Sequence, residues 1–152
     1  MESRHAPPPA VSIVGRKNSG KTTLLVALAA ELKRRGRRIA TLKHGHPHFE
    51  IDRPGSDTWR HKHEGAAEAV LMASSAKLAL IADVVDGEPD PRELIAWAFG
   101  GRGCDLVLIE GYKHGPFPKV EVFRRAEHDG PIHDPREPEA AGLIAVVSDD
   151  PA

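Results

Sequence analysis

Cysteine is almost missing from this 152-residue chain: a lone Cys104 excludes an internal disulfide, suits a reducing compartment and reads as a small buried side chain. Long apolar runs are missing too. No stretch approaches the roughly 20 residues that span a bilayer, and the opening MESRHAPPPA lacks the apolar core of a secretory signal. A cytoplasmic protein with no membrane segment is therefore expected. Neither sign of charge dominates, with 21 Lys+Arg against 22 Asp+Glu and a net charge of -1, which argues against a general nucleic-acid binder. Internal repeats and low-complexity tracts are absent, which removes repeat architectures.

What remains is ordinary globular composition, 40% hydrophobic and 28% charged. The length suits one compact domain, so we expect a disordered lead over residues 1–9 and a single domain over 10–152. Charge is nevertheless uneven. Residues 1–64 hold 13 Lys+Arg and 6 Asp+Glu, and the remainder holds 8 and 16. A basic first half favours a phosphate-bearing ligand, although KRRGRR at 33–38 reads as a solvated helix end.

Residues 10–14 (AVSIV) are apolar and partly β-branched and end in a glycine-rich turn, which predicts a buried parallel strand. From Lys21 to Arg35, Leu25, Leu28 and Leu32 recur at helical spacing, with Lys33 to Arg35 at the negative helix end and Gly36 placed to stop it. RIATLK (38–43) follows as a strand, completing a βαβ unit and implying a parallel sheet. The His-, Pro- and Gly-rich residues 44–57 read as a polar loop, and Ser56 or Asp57 caps a short helix through TWRHKHEGA. AEAVLMA and KLALIA predict two strands around Ser74 and Ser75. A helix runs from Pro89 to Phe99, and strands are expected at CDLVLIEG (104–111), KVEVFR (119–124) and GLIAVVS (142–148).

Gly15, Gly20, Lys21 and Thr22 fit G-x-x-x-x-G-K-[ST] between a predicted strand and a predicted helix. Glycines let successive N–H groups turn toward phosphate oxygens, the helix adds its positive end, Lys21 reaches the terminal phosphates and the Thr22 hydroxyl can hold Mg²⁺. The fold class that follows is α/β: a P-loop NTPase-like, three-layer domain with a mostly parallel sheet. A second Mg²⁺ partner is expected at a strand tip. Glu110 closes LVLI and takes that role, whereas Asp105 opens the same strand, about 17 Å away at the other edge of the sheet.

Asp52 and Asp57 flank Pro54-Gly55. A carboxylate there can bind Mg²⁺ or orient water, or the segment is an ordinary turn with a helix cap at Asp57, and both readings stand. His44, His46 and His48 would share a face on a strand and invite a transition metal, but Gly45 and Pro47 favour a polar loop instead. No N-K-x-D segment identifies the base, and SAK at 75–77 is too short to do so. The residues themselves stop at a nucleoside triphosphate. None of them stands out as an efficient water-positioning group.

GRKNSGKTTL, TLKHGHPHFEIDRPGSDTWRHKHEGA and DLVLIEGYKHGPFPKVEVFR together closely resemble the MobB family, molybdopterin-guanine dinucleotide biosynthesis protein B, with the match running from about residue 11 to 148. The resemblance implies GTP and Mg²⁺ as ligands, weak GTP hydrolysis, a homodimer and an accessory role beside the guanylyltransferase MobA in attaching GMP to molybdopterin. Carried onto matching positions, the nucleotide-binding residues are Gly15, Lys17, Asn18, Ser19, Gly20, Lys21, Thr22 and Thr23. Thr22 and Glu110 become the metal ligands, and Lys21 and Glu110 the best catalytic candidates. Asp52, Pro54, Gly55 and Asp57 fall on the family's second-loop motif. Arg16 and Lys17 are departures within the loop, and by analogy with related dimeric proteins a basic residue there reaches a phosphate across a dimer interface. The family often continues past the last strand, whereas this sequence ends at Ser148-Asp149-Asp150-Pro151-Ala152, which is a further departure from the family pattern. Two other classes compete: a small-molecule kinase with Arg124, Arg125 and Arg136 on a lid, and a metallochaperone GTPase using the histidine loop to deliver nickel or molybdate.

Overall fold

The computed structural model describes residues 6–46, 49–84, 87–133, 136 and 142–149. They form two compact units, residues 1–45 with 90–152 and residues 46–89.

The first unit is built on a parallel five-stranded sheet of order β2-β5-β1-β6-β7, with β1 (Ala10–Val14), β2 (Ile39–Lys43), β5 (Leu106–Glu110), β6 (Lys119–Phe123) and β7 (Leu143–Ser148). β1 and β5 at its centre are largely apolar on both faces, as strands covered by helices on both sides are. On one face α1 (Lys21–Arg34) brings Leu25 against Ile13, Leu108 and Val122, with Leu24, Leu28 and Leu32 packed around them. On the other, Ile95 of α3 (Pro91–Phe99) meets Ala10, Val107 and Ile109, with Phe99, Tyr112 and Phe117 alongside. The three-layer α/β arrangement thus follows from the alternation along each strand. Ile13, Val107 and Ile109 are fully buried, worth about 1.5–3 kcal/mol each relative to exposure.

Helix ends follow their local chemistry. Asp90 caps α3 through the Arg92 N–H, with Pro91 opening the helix. Arg35 closes α1 by donating its N–H to the Glu31 carbonyl, and Gly36 then turns the chain at φ 78°.

The second unit contains α2 (Asp57–His63) and an antiparallel pair, β3 (Ala69–Ala73) and β4 (Leu78–Ala82), turned by Ser74 and Lys77. The Lys62 ammonium joins the helix to the strands, donating to the Ala67 and Glu68 carbonyls and to the Asp83 carboxylate. Of the two capping residues that the sequence leaves open, Ser56 takes the role: its hydroxyl accepts from the Trp59 N–H, and Asp57 becomes the first helical residue. Among the described residues, no helix is long and apolar enough to cross a membrane.

Candidate phosphate-binding site

The loop between β1 and α1 is shaped by its backbone. Gly15 has φ 148°, and a Cβ there would sit 2.4 Å from the Val122 carbonyl oxygen and 2.6 Å from Ser19 Oγ, so only glycine fits. Asn18 (φ 63°) and Gly20 (φ 96°) are left-handed and curl the loop back on itself. Gly20 is the N-cap residue of α1, with no side-chain capping bond and no acid in the first turn. The first-turn amides of any α-helix lack intrahelical acceptors, and here they meet the positive helix end. Ser19 Oγ is buried without a hydrogen-bond partner among the described residues. A glycine-only cradle, an uncapped 14-residue helix and an orphaned hydroxyl together fit an anion.

Parallel pairing brings the charged side chains to the same edge. Lys43 and Glu110 are register partners at the carboxyl ends of β2 and β5, and Ile13 pairs with Glu110 from β1. The Thr22 hydroxyl, in the first turn of α1, lies 3.0 Å from each Glu110 carboxylate oxygen. Lys43 Nζ is 3.3 Å from Glu110 Oε1. Lys21 Nζ donates to the Arg16 carbonyl at 2.6 Å. Burial lowers the Lys21 pKa from its ordinary value, Glu110 opposes that shift and Lys43 adds to it. Mg²⁺ keeps several waters and takes one or two protein oxygens plus phosphates. The Thr22 hydroxyl and Glu110 carboxylate, already adjacent, match that donor set.

Asp105 lies at the other end of β5, where its carboxylate accepts from the Arg38 N–H at 2.7 Å. Asp52, Pro54, Gly55 and Asp57 belong to the second unit. There the Asp52 carboxylate accepts from the Arg53 N–H at 2.9 Å and the Ser56 hydroxyl at 3.0 Å, and Gly55 turns at φ 83°. His44 stacks on Tyr112 with ring centroids 4.3 Å apart. His48 lies outside the described residues, so the three-histidine pattern is not defined as a whole; among the described residues, no group of three or more His, Cys, Asp or Glu could hold a metal ion. Arg124 Nε and the Arg125 N–H both turn to the Asp149 carboxylate, at 3.3 and 3.2 Å.

Lys43 and His128 were missed by the sequence reading. Lys43 was recoverable as the last residue of a strand ending at the same edge as Glu110. His128, whose Nε2 is 2.8 Å from the Lys17 carbonyl oxygen, carries no local signal because its position depends on the turn after β6.

A parallel sheet of this order, with a glycine-cornered loop joining its central strand to a helix, is a P-loop NTPase-like α/β fold. The family profile described as molybdopterin guanine dinucleotide synthesis protein B, MobB, matches residues 10–149. The chain belongs to the MobB family. It is 35% identical over 144 residues to the molybdopterin-guanine dinucleotide biosynthesis adapter protein of Escherichia coli, covering 94% of this chain and 79% of that protein. Against the adapter protein of Haemophilus influenzae the identity is 36% over 117 residues, covering 77% of this chain but only 64% of that protein's length. The crystal structure of a MobB homolog from Bacillus stearothermophilus superposes with a TM-score of 0.63 at 26% identity, covering 93% of this chain and 79% of that one.

Proposed function

We propose that this chain is a GTP- and Mg²⁺-binding adapter of molybdopterin guanine dinucleotide biosynthesis, acting as a homodimer in the cytoplasm beside a MobA-type guanylyltransferase. The adapter role comes from the names of its E. coli and H. influenzae relatives. The nucleotide-binding role is carried chiefly by one observation, the Thr22 hydroxyl against the Glu110 carboxylate at the mouth of the glycine loop. In this reading the loop amides and Lys21 bind the phosphates. Lys21 must then exchange the Arg16 carbonyl for a phosphate oxygen, a charge-assisted and stronger partner. Thr22 and Glu110 hold Mg²⁺, whose contribution when bound is to neutralise and polarise the terminal phosphates. Lys43, against Glu110, limits the net negative charge of the carboxylate edge. Such a set binds and neutralises, and we assign it weak GTP hydrolysis rather than efficient turnover.

The test is calorimetric titration of GTP and ATP with Mg²⁺, single-turnover hydrolysis, and repetition with a MobA-type enzyme and molybdopterin. Lys21→Ala is expected to weaken triphosphate binding at least about 10-fold with an unchanged circular dichroism spectrum. Unchanged affinity would remove the glycine loop from the site. ATP preference with fast transfer to a small acceptor would overturn the adapter reading.

A further inference from the structure

A cleft of about 840 Å³ lies in the first unit at the end of the sheet opposite the glycine loop. Its position follows from the strand order. β2 is an edge strand, and Ile39 packs into the core on the α1 side, with Thr41 on the same face by alternation. α1 offers Ala29 and Ala30 to that flank, and both are too small to fill it. The connection entering β5 adds Arg102 and Cys104 to the lining. Ile39 pairs with Leu106 at this end, whereas Lys43 pairs with Glu110 at the other, so the cleft and the Thr22–Glu110 pair use opposite ends of the same two strands.

The basic run KRRGRR, which reads in the sequence as a solvated helix end, is divided by the fold. Arg34 and Arg35 are neutralised by the Glu31 carboxylate, with contacts of 2.7 Å. Lys33, Arg37 and Arg38 instead line the cleft with Arg102, and these four side chains make no ion pair among the described residues. The Gly36 turn sets their direction, closed by the Arg37 N–H donating to the Leu32 carbonyl at 2.9 Å. Arg38 is fastened in place. Its Nη2 donates to the Arg102 carbonyl at 2.7 Å, and it lies so close over Gly103 (φ 67°) that a Cβ there would sit 2.6 Å from Nη1. The nearby Asp105 carboxylate accepts from the Arg38 backbone N–H and leaves the guanidinium uncompensated. A helix end that merely meets solvent needs no arginine fixed in this way.

We infer that this cleft is a second anion site, which takes a small organic phosphate. Guanidinium forks match phosphate oxygens in pairs, and an arginine already held in place loses little freedom on binding. Like charges gathered in one cleft repel each other, and a phosphate dianion relieves that repulsion. Ala29, Ala30 and Ile39 give the cleft an apolar floor for the organic body, and its volume falls within the range of small-molecule sites. The site is independent of triphosphate binding at the glycine loop.

Cys104 lines the cleft and is the lone cysteine of the chain, so its alkylation by iodoacetamide reports occupancy. The probe is phenyl phosphate, with inorganic phosphate and a glutamate-rich peptide for comparison. Phenyl phosphate is expected to slow alkylation equally in wild-type protein and in Lys21→Ala, and inorganic phosphate to require a concentration about 10-fold higher. In the double variant Lys33→Gln/Arg37→Gln the affinity for phenyl phosphate falls about 10-fold or more. The control Arg34→Gln/Arg35→Gln, with the same change in net charge, alters it less than about twofold. All four positions are exposed, so folding is expected to be unaffected, which circular dichroism checks. No protection by phenyl phosphate at about 10 mM, or equal losses in the two double variants, would overturn the site. Protection that disappears in Lys21→Ala would assign the probe to the glycine loop and overturn it as well. Equal potency of the two phosphates would overturn the organic ligand, and protection by the peptide at lower concentration than phenyl phosphate would overturn it in favour of an acidic protein segment.

Discussion

Lys21 shows how one residue serves two opposed demands. Burial disfavours its ammonium, so its pKa lies below the ordinary 10.5 despite the Glu110 carboxylate. The unfolded chain then holds that proton more tightly than the folded one. The protonated group costs stability below the folded pKa, and the cost is relieved as pH rises through the window between the lowered value and 10.5. Phosphate binding runs the other way, since it needs the cation. Triphosphate affinity measured from about pH 7 to about pH 10 is expected to fall before the ordinary lysine range is reached, and Lys21→Arg should flatten that decline. Gly15→Ala places a methyl 2.4 Å from the Val122 carbonyl oxygen; a loss of at least about 2 kcal/mol in urea unfolding is expected, together with weaker phosphate binding. Glu121 is 1% exposed and bonds the Ile132 N–H and the His133 N–H and Nδ1. Glu121→Ala leaves those donors unmatched, and about 3 kcal/mol of destabilisation is expected. A change below about 1 kcal/mol would mean that the connection after β6 is held by other contacts.

Among the elements, α2 is short and depends on its start. Seven residues are too few for an isolated helix, so the Ser56 cap and the Asp52 turn matter more than propensity. The Thr58 hydroxyl first, then Ser56 and the Arg53 N–H, hold the Asp52 carboxyl below its ordinary 3.8. The folded pKa is below the unfolded one, so this support is complete above pH 3.8 and lost as pH falls through the folded value. Ser56→Ala should cost about 1 kcal/mol, read as faster amide exchange in residues 57–63 with the first unit unaffected. β6 shows where strand patterning reaches its limit. KVEVF alternates charged and apolar residues as a half-solvated strand does, yet Lys119 and Glu121 are buried. Their partners, the Phe117 carbonyl and residues 132–133, come from segments without regular structure, whose path no periodicity encodes.

For the whole molecule, the second unit presents an unusual surface. Leu71 and Leu80 face each other across β3 and β4, Leu78 lies on the same face, and all three are exposed. Contiguous exposed leucines of this kind mark interaction surfaces, and the homodimer proposed above is tested on this face. Leu71→Glu is expected to shift sedimentation toward the monomer without lowering GTP affinity in the first unit. An unchanged sedimentation coefficient would exclude this face from the contact.

The residues alone determined the element order, the helix stop at Gly36, the glycine loop and the acid at the end of β5, because propensity, capping and period act over a few neighbours. The family resemblance, carried by three local segments, was equally legible. Only the tertiary structure decided that Thr22, Lys43 and Glu110 meet, that Glu121 and Lys119 are buried, and that His128 reaches the glycine loop. Those contacts join residues up to 111 positions apart, and the strand register and loop paths that bring them together are specified by no local pattern.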